Sequence, residues 1–239
     1  MDFTVPTLAT YRARIERLPA RVERHHILRS SFLLGTDGPL RVYYAPIGGA
    51  VNRDAEIVLV GITPGWTQTK QAYETCRWVL RHGGSERRAH AEAKAQASFK
   101  GMRTKICRWL DDLGVDEWLE LDSTEELFET SRDRLQTTGL IRYPVFVGND
   151  GKDYGGAGKI PIKSPQLWSM VESLLVPQLD RLPEALVVPM GVAVATALCE
   201  LGVEPARCLY GFPRPAYRFG ERDFRNERPQ MRRVVDGLP

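Results

Sequence analysis

The chain has no apolar run long enough to cross a bilayer; the longest, near residues 185–190, falls far short of the roughly 20 residues a membrane helix needs. The first 17 residues lack the basic-then-apolar pattern of a secretory leader, so a cytoplasmic protein is expected. Cysteine is scarce: Cys76, Cys107, Cys199 and Cys208 sit at irregular spacings with no Cys-x-x-Cys pair. That excludes a disulfide framework and gives no support to a zinc site or an iron–sulfur cluster. Reduced, buried thiols are expected, with no metal and no cofactor. Repeats and low-complexity segments are absent. Charge of one sign is also in short supply, since a net charge of +3 is too small by itself to establish a nucleic-acid partner.

What is present suits a soluble α/β protein. At 239 residues the chain can bury one sizeable core, and a single domain over residues 1–239 is expected. Residues 1–35 read as a basic helical extension and residues 219–239 as a basic tail or helix. Ile57, Val58, Leu59 and Val60 form a block suited to a strand buried on both faces of a parallel sheet. Gly61, Pro64 and Gly65 then turn the chain, and Thr67 is placed to cap a helix over residues 67–80. Further helices are expected over 85–97 and 102–113, with a short one opened by Ser123 and Glu126 as a capping box. Residues 137–147 read as a second core strand, although Pro144 should interrupt its ladder. Strands are also expected at 40–45, 185–190 and 208–210. Ser164 and Pro165 start another helix, one follows Gly191, and a last one spans about 227–235. The alternation predicts a three-layer α/β/α architecture around a central, mainly parallel four-stranded sheet.

In such a sheet the loops leaving the carboxyl ends of neighbouring strands form the ligand site. Three loops qualify: residues 61–66, 148–158 and 211–218. The second is long and rich in Gly, Asn and Asp, which marks it as functional. Phe146 and Tyr154 bracket it and can stack a base, Asn149 can read a base edge, and Asp150 and Asp153 are carboxylates able to activate water. Trp66 walls a pocket or packs on the next helix. Arginine crowds two segments, residues 12–29 and 214–233, and its guanidinium fork suits phosphate. Gln68, Lys100 and Arg103 are candidate phosphate contacts. His25 and His26 lie in the basic N-terminal segment, where a solvated face is the simpler account.

The turn Gly61-Ile62-Thr63-Pro64-Gly65 resembles the first motif of the uracil-DNA glycosylase superfamily, and Gly211-Phe212-Pro213-Arg214-Pro215-Ala216 resembles its second. Residues 186–198 look like the superfamily's strand and helix start, and Lys163-Ser164-Pro165-Gln166-Leu167 like the helix ahead of it. Order and spacing agree over residues 56–216. The resemblance implies a metal-independent enzyme that flips a nucleotide out of DNA and hydrolyses its base–sugar bond. It places Thr63 at the water-handling position and Arg214 at the donor to the departing base. Gly61, Ile62, Pro64, Gly65, Trp66, Phe146, Asn149 and Tyr154 would form the base pocket. Gln68, Lys100, Arg103, Lys163, Ser164, Pro213, Pro215, Tyr217 and Arg218 would contact DNA, the last four through a loop that presses into the minor groove.

Both chemical positions depart from the superfamily pattern. Thr63 replaces a carboxylate or carboxamide and cannot act as a strong base. Arg214 replaces a histidine and is always cationic, so it can stabilise an anion but never transfers a proton. Gly139 sits where an asparagine often reads uracil, and Gly65 where some members carry a tyrosine that excludes bulky bases. Both changes enlarge the pocket. The expected substrate is therefore a modified base, such as the hypermodified bases of phage DNA, with a role in repair or anti-phage defence. No lysine in either motif can form a Schiff base, so a monofunctional enzyme is expected; a monomer is expected as well. Two rival classes are a catalytically inactive reader of flipped or abasic nucleotides and a hydrolase of free nucleosides.

Overall fold

Leu8, Tyr11 and Ile15 recur at helical spacing and are buried. In the computed structural model, which describes residues 6–48, 51–148, 150–155 and 164–239, they line helix α1 (Leu8–Glu16). Beyond Pro19 comes a single turn, α2 (Arg24–Ile27). Strands β1 (Leu33–Asp37), β2 (Leu40–Tyr43) and β3 (Ile57–Gly61) follow. Next are the helices α3 (Trp66–Arg81), α4 (Glu86–Ala97), α5 (Arg103–Asp111) and α6 (Val115–Trp118). Strands β4 (Leu135–Gly139), β5 (Val145–Val147) and β6 (Lys152–Asp153) come next. Helix α7 (Pro165–Met170) runs through a π-helical turn, Val171–Leu175, into α8 (Val176–Leu179). Strand β7 (Leu186–Pro189), α9 (Val192–Glu200) and α10 (Gly220–Val235) complete the chain.

The protein is mixed α/β and divides into two compact units, each assembled from three segments. The first comprises Met1–Ala50, Thr63–Lys100 and Ile141–Leu175. Its sheet has the order β1-β2-β5-β6 and every pairing is antiparallel. Ala89, Ala93 and Ala97 make a fully buried small-residue stripe on α4, which lets α3 pack closely against it. Tyr11, Phe32, Tyr44 and Tyr73 form an aromatic core, with the Tyr11 and Tyr44 rings stacked 3.8 Å apart.

The second unit comprises Val51–Ile62, Gly101–Leu140 and Val176–Pro239. Its sheet is parallel, in the order β4-β3-β7. The apolar block of β3 is buried in the middle of that sheet, as its composition predicts. All three strands run the same way, so Gly61, Gly139 and Pro189 end along one edge.

Several expectations need correcting. Among the described residues there are two small sheets, one antiparallel and one parallel, rather than one mainly parallel four-stranded sheet. Cys208 contributes one parallel bridge to Val187, not a fourth strand. The stretch read as one strand over 137–147 is split: β4 pairs parallel with β3, whereas β5 pairs antiparallel with β2. Pro144, which cannot donate to a ladder, sits at the break. Lys152–Asp153 pairs with β5 inside the segment read as loop, while residues 156–161 of that segment lie outside the described residues. Helix α10 begins at Gly220, ahead of the expected residue 227, and carries Pro229 in its interior. Cys76, Cys107 and Cys208 are buried, and burial pushes each thiol up to about 12; Cys199 is exposed, contrary to expectation. Among the described residues no helix is long and apolar enough to cross a membrane.

Candidate functional site

Thr63 opens the first bend in the first unit. Its hydroxyl donates to the Tyr143 carbonyl at 2.8 Å and accepts from the Val145 amide at 3.1 Å. A threonine hydroxyl has one proton, and here the main chain takes it. Thr63 thereby ties the bend to the start of β5, and what remains to it is a spare lone pair. Pro64 is buried against the core.

Helix α3 starts at Trp66, and its N-cap is Gly65 rather than Thr67. A glycine brings no side-chain acceptor, and Asp153 supplies one instead: its Oδ2 accepts from the Trp66 amide at 3.1 Å. A carboxylate there complements the positive end of the helix dipole. A Cβ on Gly65 would stand 3.0 Å from that oxygen, so a larger residue would require the Asp153 carboxylate to give way by a few tenths of an ångström. The bend that lacks its own carboxylate therefore holds one donated from β6.

Arg24 completes the group. It ion-pairs with Asp153 at 3.2 Å and donates to the Gly151 carbonyl. Its guanidinium lies 5.0 Å from the centre of the Trp66 ring and 5.5 Å from that of Phe146, within cation–π range. The two rings are 6.4 Å apart and tilted by 60°. Phe146 is fully buried and also meets Tyr43, so it can only serve as a floor, whereas Trp66 is half-exposed. Tyr154 is buried too, and among the described residues its hydroxyl has no hydrogen-bond partner. Asp150 is exposed. Asn149 lies outside the described residues.

The second bend belongs to the second unit. The Leu209 amide donates to Val187 at 3.0 Å, and the Gly191 amide donates to Phe212 at 3.1 Å, so residues 209–212 are stitched to β7 and its exit. Phe212 is anchored in an aromatic cluster with Trp109 and Phe224, whose rings stack 5.2 Å apart. Arg214 is exposed and rests on Gly191: a Cβ there would come 3.0 Å from the Cβ of Arg214. Gly191 also has φ +100°, a conformation that L side chains rarely adopt, so two independent constraints require glycine at the exit of β7. Gly61 and half-exposed Ile62 occupy the same carboxyl edge, where the Gly61 carbonyl accepts from Leu140 at 2.9 Å. Arg214 thus stands beside the exit of β7, at the edge at which a parallel sheet receives ligands.

Beyond Arg214, Tyr217 and Phe219 are exposed, with ring centres 5.4 Å apart. The Arg218 guanidinium lies 4.3 Å from the Phe219 ring and that of Arg222 at 5.2 Å. Pro213 and Pro215 are buried and shape the bend rather than face outward. Lys105 donates to the Pro215 carbonyl at 3.2 Å.

The remaining candidates disperse. Gln68 is half-buried on α3. Lys100, in the first unit, donates to Gln71. Arg103, in the second, stacks 4.8 Å from the Phe128 ring. Ser164 is buried, caps α7 by accepting from Leu167 at 3.3 Å and donates to Asp37, so its hydroxyl is structural. Lys163 lies outside the described residues. His26 Nδ1 accepts from the Glu23 amide at 2.9 Å and caps α2. Among the described residues no group of His, Cys, Asp and Glu could hold a metal ion. Arg24 was not legible as a site residue, because its partners Gly151 and Asp153 lie more than a hundred residues away and it reads as one of many basic residues in its segment.

The chain is 32% identical over 237 residues to the uncharacterized protein YoxB of Bacillus subtilis (strain 168), covering 95% of this chain and 91% of that protein. No family model matches it, and no solved structure matches it. The chain belongs to the YoxB family.

Proposed function

We propose that this member of the YoxB family is a DNA glycosylase, a divergent relative of the uracil-DNA glycosylase superfamily sharing its three-layer fold. It hydrolyses the base–sugar bond of an extruded, modified base and leaves an abasic site. The observation that carries this reading is Arg214 seated on Gly191 beside the carboxyl edge of three parallel strands. A fixed cation at that edge suits the charge that develops on a departing base. Water adds its oxygen to the anomeric carbon as the carbon–nitrogen bond breaks, and the bonding pair leaves with the base. Arg214 stabilises the resulting anion without giving up a proton. The proton of the attacking water passes to solvent water; Thr63 braces the first bend. The exposed rings of Tyr217 and Phe219 with Arg218 are suited to unstacked bases and phosphate. We infer a cytoplasmic monomer working in repair or anti-phage defence, which the cysteine usage and the basic segments favour.

The test is base release. The purified protein is incubated with duplexes carrying uracil and with phage DNA carrying hypermodified bases, and alkali-labile sites are counted. Release from modified DNA and not from uracil is expected; release from uracil alone overturns the substrate assignment. A second reading, a non-hydrolytic reader of flipped or abasic nucleotides, is favoured by the Thr63 hydroxyl proton being committed to the main chain. It predicts tight binding to abasic DNA and no new alkali-labile sites on any substrate.

A further inference from the structure

Glu221, Phe224, Arg225 and Arg228 recur on α10 at helical spacing, so they share one face. That face meets Arg108 on α5 and Asp112 at its end, and the six residues line one hollow of about 530 Å³. All six belong to the second unit. Buried Phe224, stacked on Trp109, gives the hollow an apolar wall. Arg108, Asp112, Arg225 and Arg228 are exposed around its rim.

The arginines of this region fall into two kinds. Arg108, Arg222 and Arg232 are matched by carboxylates. Arg108 pairs with Glu221, whose second oxygen accepts from the Trp109 indole at 3.2 Å. Arg222 pairs with Asp223 at 3.1 Å, and Arg232 with Asp236 at 2.7 Å and Glu117 at 3.4 Å. Arg225 and Arg228 differ. Among the described residues Arg225 has no hydrogen-bond or ion-pair partner. Arg228 donates through Nε and Nη2 to a single uncharged acceptor, the Asp112 carbonyl, at 3.1 and 3.0 Å. That bond holds the side-on edge of its guanidinium and leaves the end-on pair of N–H groups unengaged.

The charges lining the hollow do not cancel: three guanidiniums face two carboxylates, which leaves one positive charge. A phosphodiester carries one negative charge and two free oxygens, which suits that remainder and two adjacent guanidinium forks. The open rim also favours a strand that enters and leaves over a free small molecule, which binds where most of its surface is enclosed. We propose that the hollow between α5 and α10 binds a backbone phosphate of a DNA strand through Arg225 and Arg228. Arg228, steadied by the Asp112 carbonyl, presents its end-on fork. Arg225, about one turn earlier on the same face, takes the other oxygen. The site rests on the nucleic-acid reading given above but not on hydrolysis, and it extends the strand contact of Tyr217, Arg218 and Phe219 into the helix that follows them.

Fluorescence anisotropy of the full chain with a labelled DNA duplex and with its single strand, read between about 50 and 200 mM salt, tests the site. The wild type should bind at least one of the two. Arg225→Gln should weaken that binding about tenfold at the lower salt, as loss of a charged hydrogen bond implies. It should also make the slope of log affinity against log salt shallower by about 1, the mark of one lost phosphate contact. Arg228→Gln should act alike. Arg225→Gln breaks no contact within the chain, so it keeps the test decisive if circular dichroism shows Arg228→Gln to be unfolded. Arg233→Gln, exposed on α10 but outside the lining, should bind as the wild type does. An unchanged salt slope in Arg225→Gln, or an equal loss in Arg233→Gln, overturns the site while DNA binding stands. No binding of either DNA by the wild type overturns the nucleic-acid reading and the site with it.

Discussion

The two bends are built by opposite strategies. At Thr63 the side chain is spent on the main chain, and the available chemistry is imported: the carboxylate comes from β6 and the cation from α2. At Arg214 the main chain does the fastening, through Gly191, Phe212 and the bridge at Cys208, and the residue itself is exposed. A bend whose own side chain is structural should respond to mutation in stability. A bend fastened by its backbone should respond in activity.

Arg214→Ala provides the sharpest break in that comparison. Base release from modified DNA should fall roughly 100- to 1,000-fold, as for loss of one preorganised donor, with little change in the thermal midpoint. An equal loss of stability would mean that Arg214 is a packing residue. Gly191→Val attacks the same bend through its fastening. The positive φ and the contact with Arg214 should cost about 1–3 kcal/mol in urea unfolding, and base release should fall with it.

The first bend should behave in the reverse way. Thr63→Val keeps the shape but orphans the Val145 amide and the Tyr143 carbonyl, so about 1–3 kcal/mol of stability should be lost. Thr63→Ser should restore most of it, and the rate per folded molecule should be unchanged in both. Asp153→Asn should change stability by under about 1 kcal/mol in urea unfolding, because the ion pair with Arg24 is exposed.

A pH scan adds a smaller effect. His90 is held neutral to about 4 in the folded chain, against 6.5 for a free imidazole. Between those values the unfolded state binds more protons, so stability is present above pH 6.5 and declines as pH falls toward 4. His90→Gln should flatten that part of the profile; an unchanged slope would show that the imidazole is not desolvated.

Much of both units was legible where the signals are local. The apolar block at β3, the helices α3 to α5 and the Ser164–Pro165 start of α7 each declare themselves within a few residues. The antiparallel sheet was not. Its strands β2 and β5 are about a hundred residues apart, and β5 is three residues long, so it was absorbed into the reading of β4. Helix α10 was read short: it begins at Gly220 and passes through Pro229. The bends themselves were visible, but the roles within them were not. Nothing in the residues 61–66 announces that Asp153 will cap α3, or that the Thr63 proton is already taken.

The wide turn at Val171–Leu175 decides how Arg142 is held. Helical irregularities of this kind present a carbonyl sideways, and the one at Leu174 anchors a guanidinium with an uncharged acceptor. A glutamate in that role would have neutralised the arginine. A peptide oxygen steadies it and leaves its valence intact. It also makes position 174 indifferent to which apolar residue occupies it, so descendants of this chain can preserve the anchor while showing no trace of it in their side chains.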